Sequence, residues 1–335
     1  MNTKALKTRL HVQRMNRWEP HLLGLFAPVM TVVCLALGSW WMGLTILTVL
    51  VFYPLIDAMV GTSEETDPLQ EGRAHNIIVH IHGVMVPIIV IALLLRVSMD
   101  GLTGYVWLGV VSAGLATGGS GIVAAHELGH RRLRSPSWWL ARLDLLSVLY
   151  LHFTVEHNHP HHRHWARPVD PTSSPWGRSV YGHFLRTVPL QLRGAWRARP
   201  KDTFRSLLLE AVILLGLYAY NPVFFVAFVS QALIAIFLLE FVNYLQHHGL
   251  SRGSDERANA THAWESRHRW SRWTLLELPL HPSHHLKAST PYHRLDTHDE
   301  APQLPFGYYV MFWAALVPPI FQRMMRKSAL KTTSR

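Results

Sequence analysis

Residues 105–130 read YVWLGVVSAGLATGGSGIVAAHELGH, and this stretch decides the fold. From Tyr105 to Ala125 it carries no charge, and about 20 such residues in a helix cross the roughly 30 Å hydrocarbon core of a bilayer. It closes on His126-Glu127-Leu128-Gly129-His130. On a helix continuing through this pentapeptide, His126 and His130 lie one turn apart and project from one face. Two imidazoles so placed can grip one metal ion. Three later blocks repeat the theme: Glu156-His157-Asn158-His159-Pro160-His161-His162, Gln246-His247-His248 and His281-Pro282-Ser283-His284-His285. The chain has 23 histidines, and their concentration in four short blocks is the main functional signal.

Working outward, further apolar runs flank the first. Of the 335 residues 49% are apolar, with 13 Trp, and the mean hydropathy is positive. These values point to one all-α integral membrane domain rather than two soluble ones. Transmembrane helices are expected at about 21–38, 40–57, 77–97, 104–125, 206–220 and 223–245. Gly38-Ser39, Asp100-Gly101 and Asn221-Pro222 supply short turns, and a polar loop carries Glu64, Glu65, Asp67 and Glu71. The N-terminal segment is basic (Lys4, Lys7, Arg9, Arg14, Arg17) and no cleavable signal peptide is evident. The net charge of +11 comes from basic residues flanking apolar spans, which favours a membrane surface or an acidic protein partner over nucleic acid. The lone Cys34 lies in an apolar run, excluding an intrachain disulfide and a cysteine-held iron–sulfur centre.

The apolar segment 304–321 could form a seventh span. It contains Pro305, Pro318 and Pro319 and leads into Arg323, Arg326, Lys327, Lys331 and Arg335. Basic loops stay on the cytoplasmic side. With six spans, both termini and every long loop are cytoplasmic, and Arg96 is the one basic residue near an outer end. The segment 304–321 is therefore expected at the interface or packed on the domain. This topology, derived without the histidines, puts all four blocks in or beside the cytoplasmic segments 126–205 and 246–303. The expected location is the cell's inner (plasma) membrane.

Nine histidines form the candidate constellation: His126, His130, His157, His161, His162, His247, His281, His284 and His285. One tetrahedral metal takes three or four ligands, so nine imidazoles suit two metal ions. Imidazole alone does not choose between iron, zinc, copper and nickel. Isolated histidines such as His11, His21, His183 and His262 read as interface decoration. His75, His80 and His82, at the start of the third span, read as supporting or structural groups, as do His152, His159, His164, His248, His293 and His298. In the sixth span Glu240, Asn243, Tyr244 and His247 share one helical face. A carboxylate inside an apolar span is costly and a functional candidate by default. Glu240 is expected to support a ligand imidazole, or else to contact another span, and Asn243 and Tyr244 are its candidate catalytic neighbours. Gly118, Gly119, Ser120 and Gly121 permit close helix packing or leave room for a substrate. Gly119 and Ile122, seven and four residues before His126, mark the expected pocket with Gly118. HELGH also fits the zinc-protease box, with Glu127 as base, but that leaves most of the histidines unexplained. A transporter would carry its polar residues at mid-span, whereas these sit at span ends.

The blocks HELGH, EHNHPHH, NYLQHHGL and LHPSHH resemble the family pattern HELxH, EHxxGHH, NYxEHYGL and RHxxHH of the membrane-bound alkane 1-monooxygenases, within the wider fatty acid desaturase and hydroxylase superfamily. Departures are Pro160 for glycine, Gln246 for the acidic residue, His248 for tyrosine and Leu280 for a basic residue. They leave the nine ligand positions intact and bear on substrate, since related members oxidise methyl groups on aromatic rings. The resemblance implies a non-haem centre of two iron ions that hydroxylates the terminal methyl group of an alkyl chain drawn from the bilayer. It implies dioxygen and two electrons from a rubredoxin or ferredoxin with its reductase. Arg193, Arg197, Arg199, Lys201 and Arg205 are candidates for a docking face, or for plain membrane anchoring. An acyl-lipid desaturase with the same ligands is an alternative reading.

Overall fold

The computed structural model describes residues 18–66 and 72–333. The basic residues Lys4, Lys7, Arg9, Arg14, Arg17 and Arg335, together with His11, Asp67 and Glu71, lie outside the described residues. Among the described residues the chain is helical, and strand pairing is confined to two isolated bridges, Thr62 to His268 and Glu265 to Gln303.

Six helices are long and apolar enough to cross a membrane. They are α1 (Glu19–Leu37), α2 (Ser39–Met59), α3 (Arg73–Asp100), α4 (Gly104–Gly129), α8 (Pro200–Tyr220) and α9 (Pro222–His247). Between and after them lie α5 (Pro136–Ser147), a bent helical run α6 over 153–164, α7 (Val180–Ala198), α10 (Arg269–Thr274), α11 (His281–Leu286), α12 (Tyr308–Leu316) and α13 (Pro318–Thr333). α4 is the central element, most of its length buried, whereas α8 shows its apolar side chains outward, Leu208, Leu209, Val212 and Leu215 among them. Apolar residues facing outward on a spanning helix meet hydrocarbon, not water.

Arg96 shows how the far end of the bundle closes. Gly38 ends α1 at φ 74°, where a side chain would be strained. A Cβ there would also stand 2.8 Å from the Arg96 guanidinium. Arg96 donates to the carbonyls of Leu35 (2.7 Å) and Ala36 (2.5 Å) and pairs with Asp100 at 3.1 Å. Its charge thus answers the negative end of the α1 dipole, which accounts for a lone arginine at that end.

α4 is not a uniform helix. Thr117–Gly121 form a π-turn between the α-helical Gly104–Ala116 and Ile122–Gly129. The extra residue rotates everything before it relative to the histidine-bearing last turns. At the opposite end from Arg96, the chain after α9 folds back over the bundle. Arg269 donates to the Gly61 carbonyl (3.0 Å), and Ser271 gives its N–H and hydroxyl to buried Asp57. The segment 304–321 splits at Val317 into α12 and the start of α13. α12 lies along α2, its Trp313 indole N–H donating to the Leu50 carbonyl at 2.8 Å.

Candidate metal centre

His126 sits in the last turn of α4, and His130 caps its end. In α6 a second π-turn, His157–His161, carries Pro160. It spaces His157 from the His161-His162 pair so that all three turn inward. His247 is the last residue of α9, and the short α11 presents His281, His284 and His285. All these helix ends meet at the end of the bundle opposite Arg96.

The nine imidazoles converge in two groups. His126, His130, His157 and His284 offer nitrogens that all lie within 4.8 Å of one another, and so do His161, His247, His281 and His285. His162 stands between the groups. Its Nε2 is 3.1 Å from His157 Nε2 and 3.2 Å from His284 Nε2, and its ring also tilts against His285. Other facing pairs are His130–His157 (3.2 Å), His161–His285 (3.2 Å) and His247–His281 (3.1 Å), each between Nε2 atoms. Ligands about 2.0–2.1 Å from one metal are separated by roughly 3.0–3.4 Å, from octahedral to tetrahedral geometry. The observed spacings fall in that range. His126 Nε2 is buried with no hydrogen-bond partner, a costly position for a neutral imidazole unless an ion takes its lone pair.

Burial, and then the neighbouring imidazoles, holds six of these rings neutral. His130 is pushed down to about 4. His157, His162, His281, His284 and His285 are held well below the usual histidine range for the same reasons. A neutral ring keeps the lone pair that a metal needs.

Two supporting residues carried no signal in the sequence. Asp170 faces His161 Nδ1 at 3.2 Å, and Thr172 Oγ1 lies 3.0 Å from the same nitrogen while donating to Asp170 at 2.7 Å. A carboxylate on the far nitrogen fixes a ligand's tautomer and orientation. Burial alone would raise the Asp170 carboxyl, but His161 beside it outweighs this and holds it below the ordinary carboxylate range. Trp165 stacks on His285 at 4.4 Å and 19°, under the Arg252 guanidinium. On the other group, Phe153 stacks on His157 at 4.9 Å.

The expectations for α9 divide. Asn243 lines a narrow cavity of about 30 Å³ that reaches His126, His157 and His281. Glu240 hydrogen-bonds none of the nine. It accepts from Tyr150 Oη (3.1 Å), Gln191 (3.4 Å) and Asn243 (3.3 Å), with His183 Nε2 at 3.6 Å. The reason is that α7 lays its inward polar stripe, His183, Thr187 and Gln191, against α9 at that level. Tyr244 turns away from the cage, its hydroxyl donating to the Arg178 carbonyl at 2.8 Å. Glu156, the residue before His157, is wholly buried with neither oxygen hydrogen-bonded, and burial raises its carboxyl well above the usual range.

Gly118 and Ile122 line the same cavity as Asn243, with Val123, Leu239 and Leu278 completing an apolar wall. Gly119 does not. It borders a different pocket, with Ala27, Tyr53 and Leu115, toward α1 and α2. The π-turn makes Gly118, not Gly119, the residue below Ile122 on the cage side.

The histidines read as interface decoration are core groups instead: His21, His183 and His262 are all buried. Among the described residues neither group of four includes His75, His80, His82, His152, His159, His164, His248, His293 or His298. Glu127, the base that a protease reading requires, is bound to Arg131 at 2.7 Å.

The fatty acid desaturase family profile matches residues 103–315. The chain is 31% identical to an alkane 1-monooxygenase of Ectopseudomonas oleovorans, over 83% of this chain and 77% of the relative. It is also 31% identical to alkane 1-monooxygenase 2 of Pseudomonas aeruginosa, over 85% and 83%. A xylene/toluene monooxygenase hydroxylase component from Pseudomonas putida is 26% identical, over 66% and 64%. With six apolar helices, two facing groups of imidazoles and relatives of this kind, the chain belongs to the alkane 1-monooxygenase family of membrane oxidoreductases, within the fatty acid desaturase group.

Proposed function

We propose that this protein hydroxylates the terminal methyl group of alkanes or related alkyl chains at a centre of two iron ions. The observation that carries the reading is the placing of the two imidazole groups at the mouth of one apolar cavity, which His126 and His157 of one group and His281 of the other all border. His126, His130, His157 and His284 would hold one ion and His161, His247, His281 and His285 the other, with His162 between them. Bound there, iron would supply the activation of dioxygen, for the net change R–CH3 + O2 + 2 electrons + 2 protons → R–CH2OH + H2O.

The chain's own residues do the rest. An alkane offers no polar handle, so the walls Ile122, Val123, Leu239 and Leu278 place it by shape and keep water out. Asp170 and Thr172 fix the ring of His161. The centre is read as cytoplasmic, because the basic loops lie at the same end of the bundle as the cage. An acidic rubredoxin or ferredoxin is the proposed electron donor. Arg193, Arg197, Arg199, Lys201 and Arg205 are exposed at the junction of α7 and α8, where Arg199 and Arg205 share Asp202 as an ion-pair partner. Likeness to the xylene/toluene enzyme component supports methyl groups on aromatic rings as the second reading.

The test is a product assay with octane, hexadecane and p-xylene under a rubredoxin reducing system, with metal content measured on the same protein. About two irons per chain and 1-octanol from octane are expected. One zinc per chain and no oxygenated product would overturn the reading.

A further inference from the structure

The cavity below the imidazoles is apolar except at two side-chain amides of α9, one turn apart. Asn243 gives its Nδ2 hydrogen to Glu240 Oε2 at 3.3 Å. Gln246 gives its Nε2 hydrogen to Tyr308 Oη at 3.0 Å. Both border the cavity. An amide has two donor hydrogens at one end and an acceptor at the other, and in each the donor end is held by the protein behind it. Among the described residues the Asn243 carbonyl oxygen has no hydrogen-bond partner, and it is not sealed in by neighbouring atoms. The cavity is what remains for it to face.

Glu240 makes this orientation obligatory. Its two oxygens collect donors from Tyr150, Gln191 and Asn243. Were the amide flipped, its oxygen would oppose the carboxylate. The carboxylate expected to support a ligand imidazole instead holds an acceptor aimed into an otherwise oily slot.

An alkane makes no use of such an acceptor, whereas a primary alcohol of the same length does. A hydroxyl left in that slot with no partner would cost free energy. We propose that Asn243, held by Glu240, forms a subsite that accepts the hydroxyl hydrogen of a primary alcohol in the cavity. The inference rests on the reading of the cavity as the alkyl-chain site. It assigns Asn243 to product binding and Glu240 to positioning.

The experiment uses the full-length, iron-loaded protein in lipid nanodiscs under anaerobic conditions. Radiolabelled 1-octanol and octane are partitioned between protein-bearing and empty discs, giving the ratio of the two affinities. The wild-type protein should favour the alcohol. Asn243→Leu should lose about 2- to 10-fold of that preference, as for one hydrogen bond, with iron content and melting temperature unchanged. Asn243→Ala carries the same test should the leucine variant fail to fold. Glu240→Gln, which frees the amide to turn, should give a smaller loss in the same direction. A stable, iron-loaded Asn243→Leu protein with an unchanged ratio would overturn the subsite. So would a loss of iron in that variant, which would put the amide on the metal instead. Failure of the functional reading is seen separately, as absence of alcohol from octane with oxygen and the donor system.

Discussion

Among the described residues two clusters of histidines pack into the interior, and only one is built like a cage. Beside the nine rings at the ends of α4, α6, α9 and α11, a second cluster joins His21 of α1, His75 and His82 of α3 and His293 of the returning chain. Residue type is the same in both, and the second cluster is the more buried, since His126, His130 and His162 of the cage are half-buried. In the second cluster the rings of His21, His75 and His293 lie against one another, and among the described residues no three nitrogens there converge as a ligand set. His75 and His293 stack at 4.8 Å and 24°. His21 Nδ1 meets the Trp273 carbonyl at 3.1 Å, and His82 Nδ1 meets Ser120 Oγ at 2.5 Å. In the cage, nitrogen faces nitrogen at 3.1–3.2 Å. A metal site is therefore a matter of converging lone pairs, and a dense cluster of imidazoles does not suffice.

The sharpest way to break this contrast is to remove one ring from each cluster. His247→Ala should empty its group of iron and abolish hydroxylation, as should changes at His126, His130, His161 or His284. His293→Phe should keep its iron. Metal analysis of the purified variants reads both, and iron retained in His247→Ala with full activity would dissolve the distinction.

A smaller effect should follow from loosening one ring of the cage without deleting it. Asp170→Ala leaves His161 in place but frees its orientation. Loss of such a partner typically weakens metal affinity about 10- to 100-fold, and a chelator competition series measures this. Equal affinity in the variant would mean that packing by Phe153, Trp165 and their neighbours orients the rings unaided.

Between the clusters runs α4, and its adjacent glycines carry the comparison to the cavity wall. A Cβ on Gly118 would come within 2.8–2.9 Å of Leu238 and Ala235, whereas one on Gly119 meets nothing within 4 Å. Gly118→Leu should destabilise by about 1–3 kcal/mol through overpacking. Gly119→Leu should be tolerated and fill the pocket toward α1 and α2. Thermal unfolding in detergent separates the two, and matching losses would show that the π-turn does not set their facing.

The smallest expected effect is on pH dependence. Burial, with His75 next to it, pushes His293 down to about 3, while the unfolded chain takes up its proton near the ordinary value of about 6.5. The unfolded state therefore binds more protons between those values, and stability is lost as pH falls through that window. Replacing His293 by Phe should make the decline of the melting temperature from pH 7 to pH 5 shallower by about 2–4 °C. An unaltered slope would show that His293 does not contribute.

Much of the architecture was legible because it depends on local pattern. A charge-free run of spanning length is helical in a membrane whatever surrounds it, since its backbone must satisfy its own hydrogen bonds there. Counting such runs gave six, and the ends of those runs put four histidine blocks at one end of the bundle. The spacing within each block, read on a helix, picked out the nine rings that converge. What pattern could not give is how segments far apart in the chain share space. That His162 stands between the groups rests on its contacts to His157 of one and to His285 of the other, far along the chain. Asp170 serves His161 from a loop with no motif of its own. Glu240 met α7 rather than a ligand because α7 turns a polar stripe inward, and a helix with a buried polar face reads as a surface helix. Gly119 was placed on the wrong side of α4 by one added residue in the π-turn. Periodicity fixes which side chains share a face of a regular helix, but a single irregular turn, or the partner across a helix interface, is decided only when the whole chain packs.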